Sequence, residues 1–178
     1  AVFVPDYELS TEKARQALPR ELPYKDAVYN VSRVGLLPAA MNPMVLAQAA
    51  QQGKSGVAAA PAQDADTCAC AGGTRESAFA DELAAAQAQS NALLFTATQD
   101  KLPQPYRGAL MPPSTELIAL FRSKGYAAAV SGAGPCVLVL HYGNAREAID
   151  QIASEQLASG HWRVLHLPIN TAGVEIER

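Results

Sequence analysis

Apolar residues recur along this chain at two spacings, and the switches between them mark out its elements. Residues 1 to 5, Ala127 to Ser131, Cys136 to His141 and Trp162 to Leu167 are short, rich in apolar residues and bounded by Gly, Pro or polar positions, so each reads as a strand. A closing alternation, Val174-Glu175-Ile176-Glu177, follows the turn residues Asn170-Thr171-Ala172-Gly173 and predicts one more. Helical spacing fills the intervals. Ser10 is suited to cap a helix reaching Leu18, with Glu12 at the positive end of its dipole, and Pro19 and Pro23 break it. Asp26 is expected to cap a longer helix to about Met41, and another runs from about Asp81 to Gln99 with Leu83, Asn91, Leu94 and Phe95. After a loop from Lys101 to Pro113, Leu117, Leu120 and Phe121 form the apolar stripe of a helix that ends with Arg122, Lys124 and the stop residue Gly125. Asn144 with Glu147 predicts a capping box for a last helix whose Ile149, Ile152 and Ala153 face inward.

The exception is residues 48 to 79. Ala, Gln and Gly dominate there, Gly53, Gly56, Pro61, Gly72 and Gly73 interrupt any period, and almost no large apolar residue is present, which predicts a flexible insertion. Setting it and the additional helices aside, the order strand, helix, strand, strand, helix, strand predicts an α+β fold. It is that of a ferredoxin-like, split β-α-β antiparallel sandwich, with helices packed on one face. The 178 residues suit one domain spanning 1–178. A fold of this type hosts many functions and decides none of them.

Charge narrows the classes of partner. The net charge is -3, and the 14 Lys and Arg are scattered instead of forming a stripe, so no nucleic-acid partner is expected. No apolar run approaches a membrane span, and the start lacks the basic and apolar regions of a secretory signal, so no membrane partner and a cytoplasmic location are expected. The chain opens without Met, inside a strand-like run, as a piece cut from a longer polypeptide would. Three cysteines make no disulfide framework; Cys68 and Cys70 lack further ligands nearby, so no metal site is expected, and Cys136 reads as a small buried thiol. His141, His161 and His166 have no nucleophile or carboxylate at a telling spacing and read as structural or exposed.

Chemistry concentrates at three places. Ser131-Gly132-Ala133-Gly134-Pro135 removes the side chains that keep a backbone away from a ligand, although on shape alone an ordinary hairpin connection is the commoner explanation. Arg33 lies in a helix carrying Val28, Val31, Val34, Leu36 and Leu37, with Asn30 about one turn earlier; a helix so apolar is expected to be buried, where a guanidinium calls for an anion. A structural salt bridge or a snorkelling side chain would also satisfy it. Arg107 follows Gln104-Pro105-Tyr106 between Pro103 and Met111-Pro112-Pro113, a proline-stiffened support, with stacking on Tyr106 as the plainer alternative. Two arginines and accessible glycine N–H groups suit a small carboxylate or phosphate. No nucleophile with a base and no paired carboxylates occur, so no catalytic residue is assigned.

These segments share one pattern. Ser131-Gly132-Ala133-Gly134-Pro135-Cys136 resembles the third motif of the GHMP small-molecule kinases. Gln104-Pro105-Tyr106-Arg107 with Leu110-Met111-Pro112, the Asn30 to Leu37 helix and Thr171-Ala172-Gly173 resemble the branch that phosphorylates homoserine. The resemblance implies a GHMP kinase C-terminal domain and transfer of the ATP γ-phosphoryl group, with Mg²⁺, to the side-chain hydroxyl of L-homoserine on the route to threonine. It implies that Arg33 and Arg107 grip the substrate carboxylate, that Asn30 contributes to the same site, and that the backbone at Gly132 and Gly134 lines it. ATP would be held mainly by an N-terminal half that does not occur in these residues, and that half would be this chain's partner; a homodimer is left open. Pro103 stands where the family usually has His, and Cys136 where Thr or Ser is more usual. Two other readings fit the same arginines: a ferredoxin-like module that senses an amino acid without chemistry, and a GHMP kinase acting on a sugar or isoprenoid alcohol.

Overall fold

In the computed structural model, which describes residues 1–42 and 75–168 and only the backbone over 75–79, four strands form one sheet. β1 (Val2–Pro5), β2 (Ala127–Val130), β3 (Val137–Leu140) and β4 (Trp162–Leu165) lie in the order β2-β3-β1-β4, and every neighbouring pair is antiparallel. β3 separates β1 from β2, and β1 separates β3 from β4, so both crossovers are split β-α-β units as the element order predicts. The register pairs Phe3 with Val137 on one side and Val164 on the other, which puts all three on one face because strand side chains alternate.

That face holds the main core. Phe3, Ala128, Val137 and Val139 meet Leu117 and Phe121 of α6 (Pro112–Ser123) and Ile149 of α7 (Arg146–Ile152), with Ala153 at its end. Phe3 and Phe121 stack at a tilt, with centroids 5.1 Å apart. Gly125, just past α6, has φ of +84°, the left-handed conformation its stop role requires. α8 (Ser154–Ala158) leads from α7 to β4.

The sheet is covered on its second face too, contrary to the one-faced sandwich expected. α4 (Arg75–Ala97) and α3 (Leu37–Ala40) pack there, where Leu94 and Ala40 bury against Ala127 with Leu140 and Tyr142 alongside. The small side chains of Ala127-Ala128-Ala129 leave room for helices on both sides of β2.

Other expectations change in detail. α1 (Thr11–Gln16) is capped by Ser10, whose hydroxyl accepts from the Lys13 amide at 3.4 Å. α2 (Tyr24–Val34) begins after Pro23, which puts Asp26 inside the first turn instead of at the cap. The helix then breaks around Gly35 and Leu36 before α3. No residue of α2 is buried, and Val31 is 74% exposed, so its apolar composition does not mean burial. The proline-bracketed loop is helical: α5 (Pro103–Arg107), a 3₁₀ turn (Gly108–Leu110) and α6 follow one another, with Pro103 and Pro112 in first-turn positions where their missing N–H costs nothing. Ala145, not Asn144, is the N-cap of α7, so the capping box does not form. Residues 75–79 of the expected insertion belong to α4. Thr171-Ala172-Gly173, the last expected strand, Cys68, Cys70 and the rest of the insertion lie outside the described residues. No described helix is long and apolar enough to cross a membrane.

Candidate functional site: a cleft beneath the β2–β3 turn

The link between β2 and β3 is both a hairpin connection and one wall of a cleft. The Ser131 amide donates to the Cys136 carbonyl at 2.8 Å and the Gly134 amide to the Ser131 carbonyl at 3.2 Å, closing the turn. Gly132 at φ +64° and Gly134 at φ +90° allow the chain to reverse. The two glycines then diverge in role. Gly132 is exposed, its N–H is not used within the turn, and it lines the cleft. Gly134 faces inward, where a Cβ would lie 2.6 Å from the sulfur of fully buried Met111, so it serves close packing. Ser114, also fully buried, donates to the Pro135 carbonyl at 2.5 Å and holds the turn's exit on α6. Cys136 is only half-buried.

Across from the turn sits Arg107, in the last turn of α5. Its Nε donates to the Ala14 carbonyl at 3.0 Å and its Nη1 to the Gly132 carbonyl at 3.4 Å. Among the described residues no carboxylate pairs with it, and its Nη2 has no acceptor. The cleft, about 230 Å³, is lined by Asn30, Gln99, Asp100, Gln104, Arg107 and Gly132, among others. Three of the five site residues expected from sequence therefore share one wall-to-wall space.

Arg33 lies just beyond that lining. Its guanidinium carbon is 3.3 Å from the Tyr29 ring centroid, Nη1 donates to Ser32 Oγ at 3.0 Å, and Nε reaches Gln99 Oε1 at 3.4 Å. Gln99 also accepts from the Tyr29 hydroxyl at 2.6 Å, so one lining residue joins Arg33 to the cleft. Here too no carboxylate pairs with it among the described residues. The buried, anion-demanding environment expected for Arg33 is absent: it is half-exposed and stacked on an aromatic ring, as snorkelling allows.

Two residues that sequence reasoning passes over shape this site. Asp100 accepts from the amides of Leu102 at 2.7 Å and Gln104 at 2.9 Å, capping α5, and from Asn30 Nδ2 at 2.6 Å. Arg122, read from sequence only as a residue of the last turn of α6, reaches across to the end of α4. Its Nη2 donates to the Phe95 carbonyl at 2.7 Å, and its Nη1 to Ala128 O at 2.9 Å and Thr98 Oγ1 at 3.2 Å. Burial lowers its pKa from the ordinary guanidinium value. Thr98, Gln99 and Asp100 leave α4 from this anchor and become the cleft wall. The bonds of Asp100 to the Leu102 and Gln104 amides are local, an acidic residue shortly before a helix-opening proline, whereas its bond to Asn30 and that of Arg122 to Phe95 join residues distant in sequence. Arg122→Leu is expected to destabilise the chain by about 2–3 kcal/mol, since charge-assisted bonds and helix-end carbonyls are lost together; a change below about 0.5 kcal/mol in urea unfolding would show the anchor to be idle.

The histidines stand apart from the cleft. His161 pairs with exposed Asp6 at 2.6 Å, and His166 with Asp150 at 2.9 Å, partners supplied by the fold. His141 is held below the ordinary imidazole pKa, chiefly by burial. A larger cavity, about 320 Å³, opens around His141, Arg146 and His166 and brings together none of the expected site residues.

The lining of this cleft does not suit Mg²⁺. Asp100 is the single carboxylate lining the cleft, and both its oxygens are engaged; no group of three His, Cys, Asp or Glu among the described residues could hold a metal ion. What the cleft offers is the Arg107 guanidinium, with Nη2 open, and a Gly132 N–H with no partner among the described residues, an arrangement suited to a small carboxylate.

The sequence profile of the family described as GHMP kinases C terminal matches residues 77–158. The homoserine kinase of Leifsonia xyli subsp. xyli is 33% identical over 179 residues, covering 99% of this chain and 41% of that protein. The homoserine kinase of Clavibacter michiganensis is 32% identical over 178 residues, with coverage of 99% and 41%. That of Caldicellulosiruptor bescii is 30% identical over 181 residues, covering 99% of this chain and 44% of the relative. The chain thus spans about two fifths of the length of the curated relatives it matches. The crystal structure of homoserine kinase from Cytophaga hutchinsonii matches 91% of this chain and 38% of that one, with a TM-score of 0.54 and 17% identity, a likeness of fold.

Proposed function

We propose that this chain is the C-terminal portion of a homoserine kinase of the GHMP family, which transfers the γ-phosphoryl group of ATP to the side-chain hydroxyl of L-homoserine; the family match over residues 77–158 and the homoserine kinase relatives support this reading. The product is O-phospho-L-homoserine, on the route to threonine, and the reaction belongs to the cytoplasm. The observation that carries this reading is Arg107: a guanidinium unpaired with any described carboxylate, aimed across a small cleft at the one turn glycine whose N–H is unused. Arg107 grips the substrate carboxylate directly, and Arg33 approaches from beyond Gln99 to complete the grip. Gly132 presents its N–H to the same ligand, while Gly134 supports the turn from within.

Within this site the chain's residues bind and orient; they move no proton. Fixing the amino acid's acidic end sets where its hydroxyl points, and positioning of that kind supplies much of the acceleration in phosphoryl transfer. ATP and Mg²⁺ belong to an N-terminal half of the same polypeptide, outside these residues.

Incubation of the complete polypeptide with Mg·ATP and L-homoserine, followed by ³¹P NMR, is the test. A phosphomonoester of homoserine is expected from the complete protein and none from the 178 residues alone. Phosphorylation of a sugar or isoprenoid alcohol in preference to homoserine would replace the substrate assignment. Turnover by the isolated 178 residues would overturn the division of labour.

A further inference from the structure

Between the two arginines lies a polar latch made of side chains from elements that are distant in sequence. Asn30 in α2 is engaged at both ends of its amide: Nδ2 donates to Asp100 Oδ1 at 2.6 Å, and Oδ1 accepts from the Lys101 amide at 2.9 Å. Asp100 is engaged at both oxygens, Oδ1 by Asn30 and the Leu102 amide at 2.7 Å and Oδ2 by the Gln104 amide at 2.9 Å. Gln104 in turn accepts from the Val130 amide at 2.8 Å, at the end of β2. One carboxylate thus caps α5, fastens α2 to it, and connects through Gln104 to the strand that enters the glycine turn. α5 is too short to hold its own course, so its direction follows from what grips its first turn.

We infer that Asp100 is the positioning residue of the cleft, setting the separation of Arg33 on α2 and Arg107 on α5 through its bond to Asn30. This rests on the reading of the cleft as a carboxylate site. Asn30, expected from sequence to serve the substrate, has both amide atoms bonded within the latch and acts through Asp100. A guanidinium pair recognises a carboxylate only when both forks reach it, so release of the latch weakens binding of the acidic end without touching the hydroxyl's environment.

The test uses the complete polypeptide with Asp100→Ala and Asn30→Ala, the second leaving the cap of α5 intact. Steady-state rates are measured for L-homoserine and for 2-amino-1,4-butanediol, the same skeleton without a carboxylate. Each variant is expected to raise KM for homoserine at least tenfold, to leave kcat within about twofold, and to leave kcat/KM for the diol within about twofold. Asp100→Ala combined with Arg107→Ala should be no worse than Arg107→Ala alone, as for residues acting through one contact. An unchanged homoserine KM in folded variants, or an equal loss with the diol, overturns the inference. Amide exchange at Lys101, Leu102 and Gln104 reads the latch without any turnover. At least tenfold faster exchange in Asp100→Ala is expected, and unaltered exchange contradicts it. Wild-type protein that leaves homoserine untouched would defeat the substrate reading, while the exchange data would still judge the latch.

Discussion

Arg107→Ala in the complete polypeptide is expected to raise KM for L-homoserine about 30- to 150-fold while kcat changes little, the loss of about 2–3 kcal/mol that accompanies removal of a charge-assisted fork. The pattern follows from geometry: the side chain touches the end of the substrate that does not react, so its contribution is equal in ground and transition states. Arg107→Lys keeps the charge but not the planar fork, and should fall between wild type and alanine. Arg107 also ties Ala14 and Gly132 together, so thermal unfolding of the same variants separates loss of a structural tie from loss of recognition. An unchanged KM in a folded Arg107→Ala protein removes Arg107 from the site.

The second large effect is on stability. Gly134→Ala is expected to cost about 2–5 kcal/mol, from about 1–2 for a side chain forced to positive φ and about 1–3 for overpacking. The new methyl would lie 2.6 Å from Met111 Sδ, and Met111 is fully buried and has no solvent to retreat into. Gly132→Ala is the internal control. Gly132 has φ of +64°, and nothing lies within 4 Å of where its added methyl would sit, so only the conformational cost of about 1–2 kcal/mol applies. Equal losses for the two variants in urea unfolding would contradict the division between a packing glycine and a ligand-facing glycine.

Local pattern and distant contact divide what the chain reveals by itself. The four described strands and α6 are legible because their signals are local: the apolar run around Phe3, the run Val137 to Leu140, the stripe Leu117 and Phe121, and Gly125 as terminator. Element order is then enough for the split β-α-β topology. The exposure of α2 is not legible, because composition counts Val28, Val31 and Val34 but cannot say what covers them; they are 48%, 74% and 60% exposed. Pro103 and Pro112 look like loop stiffeners because proline serves equally well as a first-turn helix residue; at Pro103 the nearby Asp100, which accepts from the Gln104 amide, is the signal for a helix start. Arg107 and Gly132 are found from chemistry and resemblance and do face one cleft. Gln99 and Arg122 escape a local reading because their partners Arg33 and Phe95 are remote in the chain, as does the bond of Asp100 to Asn30, although its bonds to the Leu102 and Gln104 amides are local.

The shared grip of Arg33 and Arg107 on one carboxylate can be read without turnover, from the Nε–Hε signals of ¹⁵N-arginine-labelled complete polypeptide titrated with L-homoserine. Saturable shifts of the Arg33 and Arg107 signals with a common dissociation constant, and no shift with 2-amino-1,4-butanediol, are the predicted result. Saturation with homoserine that leaves both signals in place would contradict the account.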